Sequence, residues 1–283
     1  MNERIVQFGD DGRLSGVWNT QRKNSNRPTI LLTNAGIIHR IGAHRLNVKL
    51  ARRLADIGFD SLRFDLSGLG ESAPAAGALG YERQSAQDIS AAADFLEENG
   101  RSDSVIGIGM CSGADNFQRA ALADHRLSGL VLLDPHAFPA LGAAIENMIN
   151  RYLDPYRWAR KFSELKLNAK TLSLRTVRSK SEFSEYGGDT DEQGRLRPPK
   201  AEFGNELRTL TKRGVEIGIF YTAYVQREIT RATQFFQTFS DYQLEGKVTV
   251  NVNPRVTHTY TTLQSQNMLL TEIETWLKQR FTD

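Results

Sequence analysis

The apolar positions of the chain fall into short runs that alternate with longer amphipathic stretches. Ile5 to Phe8 and Leu14 to Trp18 flank Gly9-Asp10-Asp11-Gly12, which predicts an antiparallel hairpin. Thr29 to Thr33 reads as a short buried strand. From His44 to Ile57, Leu46, Val48, Leu50 and Leu54 recur at helical spacing, and Gly58 supplies a stop. Ser61 to Phe64 predicts the next strand, and Ser85 to Asn99 an amphipathic helix. Ser104 to Gly109 is an apolar strand, Ser112 to Asp124 a helix and Leu130 to Leu133 another strand. This alternation predicts an α/β fold: a mostly parallel central sheet with helices on both faces and the hairpin at one edge.

The pattern weakens after Pro135. Ile145 to Leu165 reads as helix interrupted by Pro155, and Gly187 to Lys200 as a Gly-, Asp-, Arg- and Pro-rich surface loop. Residues 135–205 are therefore expected to form a small lid or insertion within one domain spanning 1–283. Sheet-like order resumes at Val215 to Tyr221, followed by a helix near Ile229 to Phe239, a last strand at Val248 to Val252 and a closing helix at Leu263 to Phe281.

Composition narrows the function classes. A chain of 283 residues with 40% hydrophobic and 24% charged positions fits neither disorder nor a coiled coil. The net charge is only +3, and the basic residues of Arg45 to Arg53 fit a solvated helix face, so nucleic acid is not an expected partner. One cysteine excludes an intrachain disulfide and a cysteine-rich metal site. No metal, phosphate-loop or calcium motif is present, so no cofactor is expected. No apolar run approaches the roughly 20 residues of a membrane helix. The N-terminus lacks the apolar core of a signal peptide. The chain reads as soluble and cytoplasmic, with a reduced thiol.

That thiol sits in the most informative segment. Val105-Ile106-Gly107-Ile108 leads into Gly109-Met110-Cys111-Ser112-Gly113, and Ala114 to Leu122 follows as helix. Strand, Gly-x-Cys-x-Gly and helix together predict a nucleophile elbow, a tight turn in which small residues two before and two after the nucleophile relieve crowding. A side chain so placed lies at a helix N-terminus, where free amides and the macrodipole favour developing negative charge. Centring the turn on Ser112 would put Met110 at a small position, which favours Cys111. A small buried cysteine is the bland alternative.

Asp65-Leu66-Ser67-Gly68-Leu69-Gly70-Glu71-Ser72, after a strand, resembles the Asp-x-x-Gly-x-Gly-x-Ser loop of α/β-hydrolases. Asn34-Ala35-Gly36-Ile37-Ile38-His39-Arg40 occupies the place of their oxyanion-hole loop. With Gly109 to Ala114, these segments resemble the serine-aminopeptidase-like hydrolases that include the exosortase-associated hydrolases. The resemblance implies an α/β-hydrolase fold and backbone oxyanion donors at Ser112 and Gly36. It also implies a general base after the last strand, where His258 lies in Pro254-Arg255-Val256-Thr257-His258-Thr259-Tyr260. His39, His136 and Tyr224 are placed to line the substrate. Asp65 is expected to order its own loop, and Asp88 to cap or brace a helix.

The acid departs from the pattern. The turn after the penultimate strand reads Tyr221-Thr222-Ala223-Tyr224-Val225-Gln226, with no carboxylate before Glu228. Asp134, at the end of the strand after the nucleophile helix, is the other candidate, and an acid-free Cys–His pair is a third option. Three functions stay open: an ester or thioester hydrolase acting through a covalent acyl-enzyme, an acyltransferase on the same site, and a catalytically silent scaffold. The expected partner of the first two is a small-molecule or carrier-bound acyl substrate.

Overall fold

The computed structural model describes residues 2–20, 27–33, 35–77, 79–101, 104–140, 142 and 195–281. The hairpin forms as β1 (Asn2–Phe8) and β2 (Leu14–Thr20). After them come β3 (Thr29–Leu32), α1 (Leu46–Asp56) and β4 (Ser61–Phe64). Next are α2 (Tyr81–Glu98), β5 (Val105–Met110), α3 (Ser112–Ala123) and β6 (Leu127–Leu133). The chain then gives α4 (Lys200–Lys212), β7 (Glu216–Thr222), α5 (Ala232–Thr238), β8 (Val248–Asn253) and α6 (Leu263–Arg280).

Among the described residues, eight strands make one sheet in the order β1-β2-β4-β3-β5-β6-β7-β8. The β1–β2 and β2–β4 pairs are antiparallel, and every later pair is parallel. Alternation along each strand sends neighbours to opposite faces. Leu31, Leu130, Leu132, Ile217 and Ile219 join α2–α5 on one face. Ile30, Leu32, Val131, Leu133 and Phe220 pack with α1 and α6 on the other. With both faces covered, the strands are near-continuous apolar runs, as in β6, Leu-Ser-Gly-Leu-Val-Leu-Leu.

One difference from the sequence pattern concerns a boundary. Lys200 begins α4, a helix that the Pro-rich run before it conceals. Phe203, Leu207 and Leu210, at i, i+4 and i+7, are buried in the core. Residues 200–205, grouped above with the insertion, lie in α4. The helix expected over Ile145 to Leu165, and the loop from Gly187 as far as residue 194, lie outside the described residues.

Parallel order places the C-terminal ends of β3, β4, β5, β6, β7 and β8 along one rim of the sheet. Loops at that rim are where ligands bind in open α/β sheets. The rim carries Gly36, Asp65, Cys111, Asp134, Thr222 and His258.

Candidate active site

β5 ends at Met110, and the chain turns through Cys111 into α3. Cys111 has φ 55° and ψ −124°, a conformation that costs a non-glycine residue about 1–3 kcal/mol. Its N–H donates to the Leu133 carbonyl (2.8 Å), which ties the turn to β6. Gly109 is demanded by this geometry: a Cβ there would collide with the Gly113 carbonyl. Gly107, two residues earlier, leaves room in the same way for Phe117 of α3, which rests against the strand. The strained residue between strand and helix is thus Cys111, and Ser112 is the first residue of α3.

Asp134 follows β6 and is fully buried, with φ 47°. Its carboxylate accepts three hydrogen bonds. The Thr222 N–H reaches Oδ1 at 2.7 Å, the Thr222 hydroxyl reaches Oδ2 at 2.6 Å, and His258 Nδ1 also meets Oδ2 at 2.6 Å. His258 comes from the loop after β8, near enough to Cys111 for the two side chains to interact electrostatically. Nδ1 is taken by Asp134, so Nε2 is the ring nitrogen left for sulfur. Burial opposes the imidazolium, but the hydrogen bond to Asp134 and the interactions with Asp134 and Cys111 outweigh it and push His258 up to about 9. Glu228, the other candidate acid, pairs with Arg197 at 3.2 Å.

Gly36 lies on the loop after β3 with φ 55°. Its N–H donates to the Ser112 hydroxyl at 2.7 Å, which brings the loop onto the elbow. The Ser112 amide is at the start of α3, among the N–H groups that have no acceptor within a helix. Asp65 secures the loop from behind. It accepts the Arg40 N–H at 2.6 Å, pairs with the Arg40 guanidinium and accepts the Glu71 N–H at 3.2 Å. A Cβ on Gly70 would collide with the Asp65 carboxyl, so only glycine lets the loop fold back this closely. Asp88 accepts from the Ser67 N–H (2.7 Å) and hydroxyl (2.8 Å), bracing this loop instead of capping a helix.

The remaining candidates separate. Tyr224 stacks on His258, with ring centroids 4.3 Å apart and planes 31° apart. His39 sits 3.4 Å from Asp65 and belongs to the Arg40 cluster. His136 is buried. Its carbonyl accepts from the Tyr221 hydroxyl and its ring faces Asp115 at 3.3 Å. His136 borders two cavities. The smaller is shared with Tyr224, Arg197 and Glu228. The larger, of about 590 Å³, runs between α3 and α4 past Gln118, Phe138, Phe203 and Glu206. Sequence reasoning missed Thr222, because a search for a carboxylate passes over a hydroxyl. Among the described residues no cluster of three His, Cys, Asp or Glu side chains suits a metal ion. Among them, too, no helix is long and apolar enough to cross a membrane.

Comparison with known proteins agrees with this fold. Solved structures share the fold at low identity. An α/β serine hydrolase without lid from Xanthomonas campestris is 14% identical, covers 100% of this chain and 97% of its own, and has a TM-score of 0.56. An esterase from Pyrococcus furiosus is 15% identical over 99% of this chain and 92% of its own, with a TM-score of 0.59. The α/β hydrolase GrgF from a Penicillium species is 15% identical over 99% of both chains, with a TM-score of 0.56. No curated protein matches the chain. The family model described as serine aminopeptidase, S33, matches residues 35–215, from the loop after β3 to the start of β7. The chain belongs to that family and is an enzyme of the α/β-hydrolase type.

Proposed function

We propose that the protein is a cysteine-dependent acyl hydrolase acting on an ester or thioester. The observation that carries this reading is the position of His258, hydrogen-bonded to buried Asp134 and electrostatically coupled to Cys111 at the elbow. Cys111 Sγ attacks the acyl carbonyl while its proton is already held by His258 at Nε2, as the raised imidazolium allows. Asp134 holds Nδ1 and stabilises the imidazolium. The carbon–oxygen or carbon–sulfur bond of the substrate breaks, and the leaving group takes the proton from Nε2. Water then attacks the thioester, giving one proton to His258 as the acid is released and the Cys111–His258 pair is restored.

Charge on the carbonyl oxygen is met by the Ser112 and Gly36 amides. In the free enzyme the Gly36 amide is held by the Ser112 hydroxyl, so a bound carbonyl displaces that hydroxyl. The silent-scaffold reading rested on the empty acid position after β7. Asp134 at His258 Nδ1 removes that support. The acyl substrate is a small molecule or a carrier-bound group. The thioester intermediate is also open to an amine, alcohol or thiol acceptor, which makes acyl transfer the second product channel to assay.

The experiment is hydrolysis of a series of p-nitrophenyl and acyl-thioester substrates before and after iodoacetamide. Alkylation of Cys111 should abolish turnover, and Cys111→Ala should match the alkylated enzyme. Full activity after complete alkylation would remove the thiol from the mechanism.

A further inference from the structure

The turn after β7 lacks the acid that the resemblance to α/β-hydrolases placed there, yet Thr222, Ala223 and Tyr224 all bear on the pair that carries the chemistry. Thr222, 1% exposed, gives both its N–H and its hydroxyl to Asp134. The same hydroxyl accepts the Tyr224 N–H at 3.2 Å. Ala223 donates its N–H to the Val256 carbonyl at 2.9 Å, two residues before His258. Tyr224 covers one face of the imidazole. We infer that Thr222 and Tyr224 are positioning residues: the turn vacated by the acid has become a clamp that fixes both the carboxylate and the imidazole of the proposed Cys111–His258–Asp134 site.

The two residues act in different ways. Asp134 Oδ2 is shared between the Thr222 hydroxyl and His258 Nδ1, each at 2.6 Å. The Thr222 hydroxyl therefore holds the carboxylate in its rotamer and takes up some of its charge. Tyr224 contributes no charge. Its π-face stabilises the imidazolium and blocks rotation of the ring away from sulfur. Among the described residues, the groups facing His258 are Asp134 from the end of β6, Cys111 from the elbow and Tyr224 from the clamp. The charged residue nearest in its own loop, Arg255, is exposed.

This inference rests on the proposed site, so the test has one arm that needs no substrate. Selectively labelled imidazole NMR follows the titration of His258 in the wild type, Thr222→Val, Thr222→Ser, Tyr224→Leu and Tyr224→Phe. Thr222→Val should raise the His258 midpoint, because Oδ2 loses a competing donor, and Thr222→Ser should restore it. Tyr224→Leu should lower the midpoint, and Tyr224→Phe should leave it in place. In the second arm, p-nitrophenyl acetate hydrolysis by Thr222→Val should show kcat reduced by about tenfold or more with KM unchanged. Thr222→Ser should stay near the wild type. Thermal melting checks that each variant is folded. Midpoints that do not move, or that fall in both Thr222→Val and Tyr224→Leu, would reduce the turn to ordinary packing and overturn the inference. Absence of any ester hydrolysis by the wild type, with the NMR shifts as expected, would instead count against the hydrolase reading alone.

Discussion

Asp65 and Asp134 occupy equivalent places. Each follows a parallel strand at the same rim of the sheet, and each is fully buried. They differ in who donates to them. Asp65 is satisfied by Arg40 and by its own loop, with a histidine only at its margin. Asp134 is satisfied by one neighbouring turn and by His258, which links onward to Cys111. A buried carboxylate paired with an arginine is a structural joint, since its charge is already neutralised. A buried carboxylate whose ionisable donor is a histidine can favour or release a proton there. Strand-end position does not make a catalytic acid; its donors do.

The sharpest way to break this contrast is to neutralise each carboxylate in turn. Asp134→Asn keeps an acceptor for Thr222 but presents an amide to His258 Nδ1. Steady-state kinetics should show kcat lower by about 10²–10⁴-fold with the fold retained. Asp65→Asn should do the reverse. It leaves the Arg40 guanidinium with the more exposed Glu71 as its remaining carboxylate partner, so denaturant unfolding should report a loss of about 1–3 kcal/mol, with kcat per folded molecule little changed. Equal kinetic losses in the two variants would erase the distinction.

Proton linkage offers a smaller effect at the same site. The folded-state pKa of His258 is raised from 6.5 to about 9, so protonation favours the folded state. That stabilisation is fully present below about pH 6.5 and is lost as pH rises through about 9, on the order of 2–3 kcal/mol in all. Urea unfolding from pH 6 to pH 10 should show this decline in the wild type and a flatter profile in His258→Gln. Smallest of all, Ser112→Ala frees the Gly36 amide from its resting partner. It should raise kcat/KM by a few fold, in line with a hydrogen bond worth about 1 kcal/mol. A large fall would mean that the hydroxyl itself serves the transition state.

How much of the molecule was legible in the sequence follows from locality. The elbow was readable because strand, Gly-Met-Cys-Ser-Gly and helix are contiguous, and the steric demand at Gly109 arises within five residues. The hairpin and the parallel sheet were readable because buried strands leave apolar runs. The contact of Asp134 with His258 spans 124 positions, so sequence alone could only name candidates. Thr222 left no signal, since a threonine ending a strand is ordinary until its partner is known. The start of α4 was hidden because Pro198-Pro199 suggested a loop, although proline just before a helix is compatible with its first turn.

The central claim is that Cys111, not its neighbour Ser112, carries the acyl group. It is tested most directly by intact-protein and peptide mass spectrometry after rapid quenching with a slowly hydrolysed p-nitrophenyl ester. The account predicts one acyl mass on the peptide containing Cys111, removed by neutral hydroxylamine as a thioester should be, and absent in Cys111→Ala. An acyl group on Ser112, or turnover with no adduct on Cys111, would contradict it.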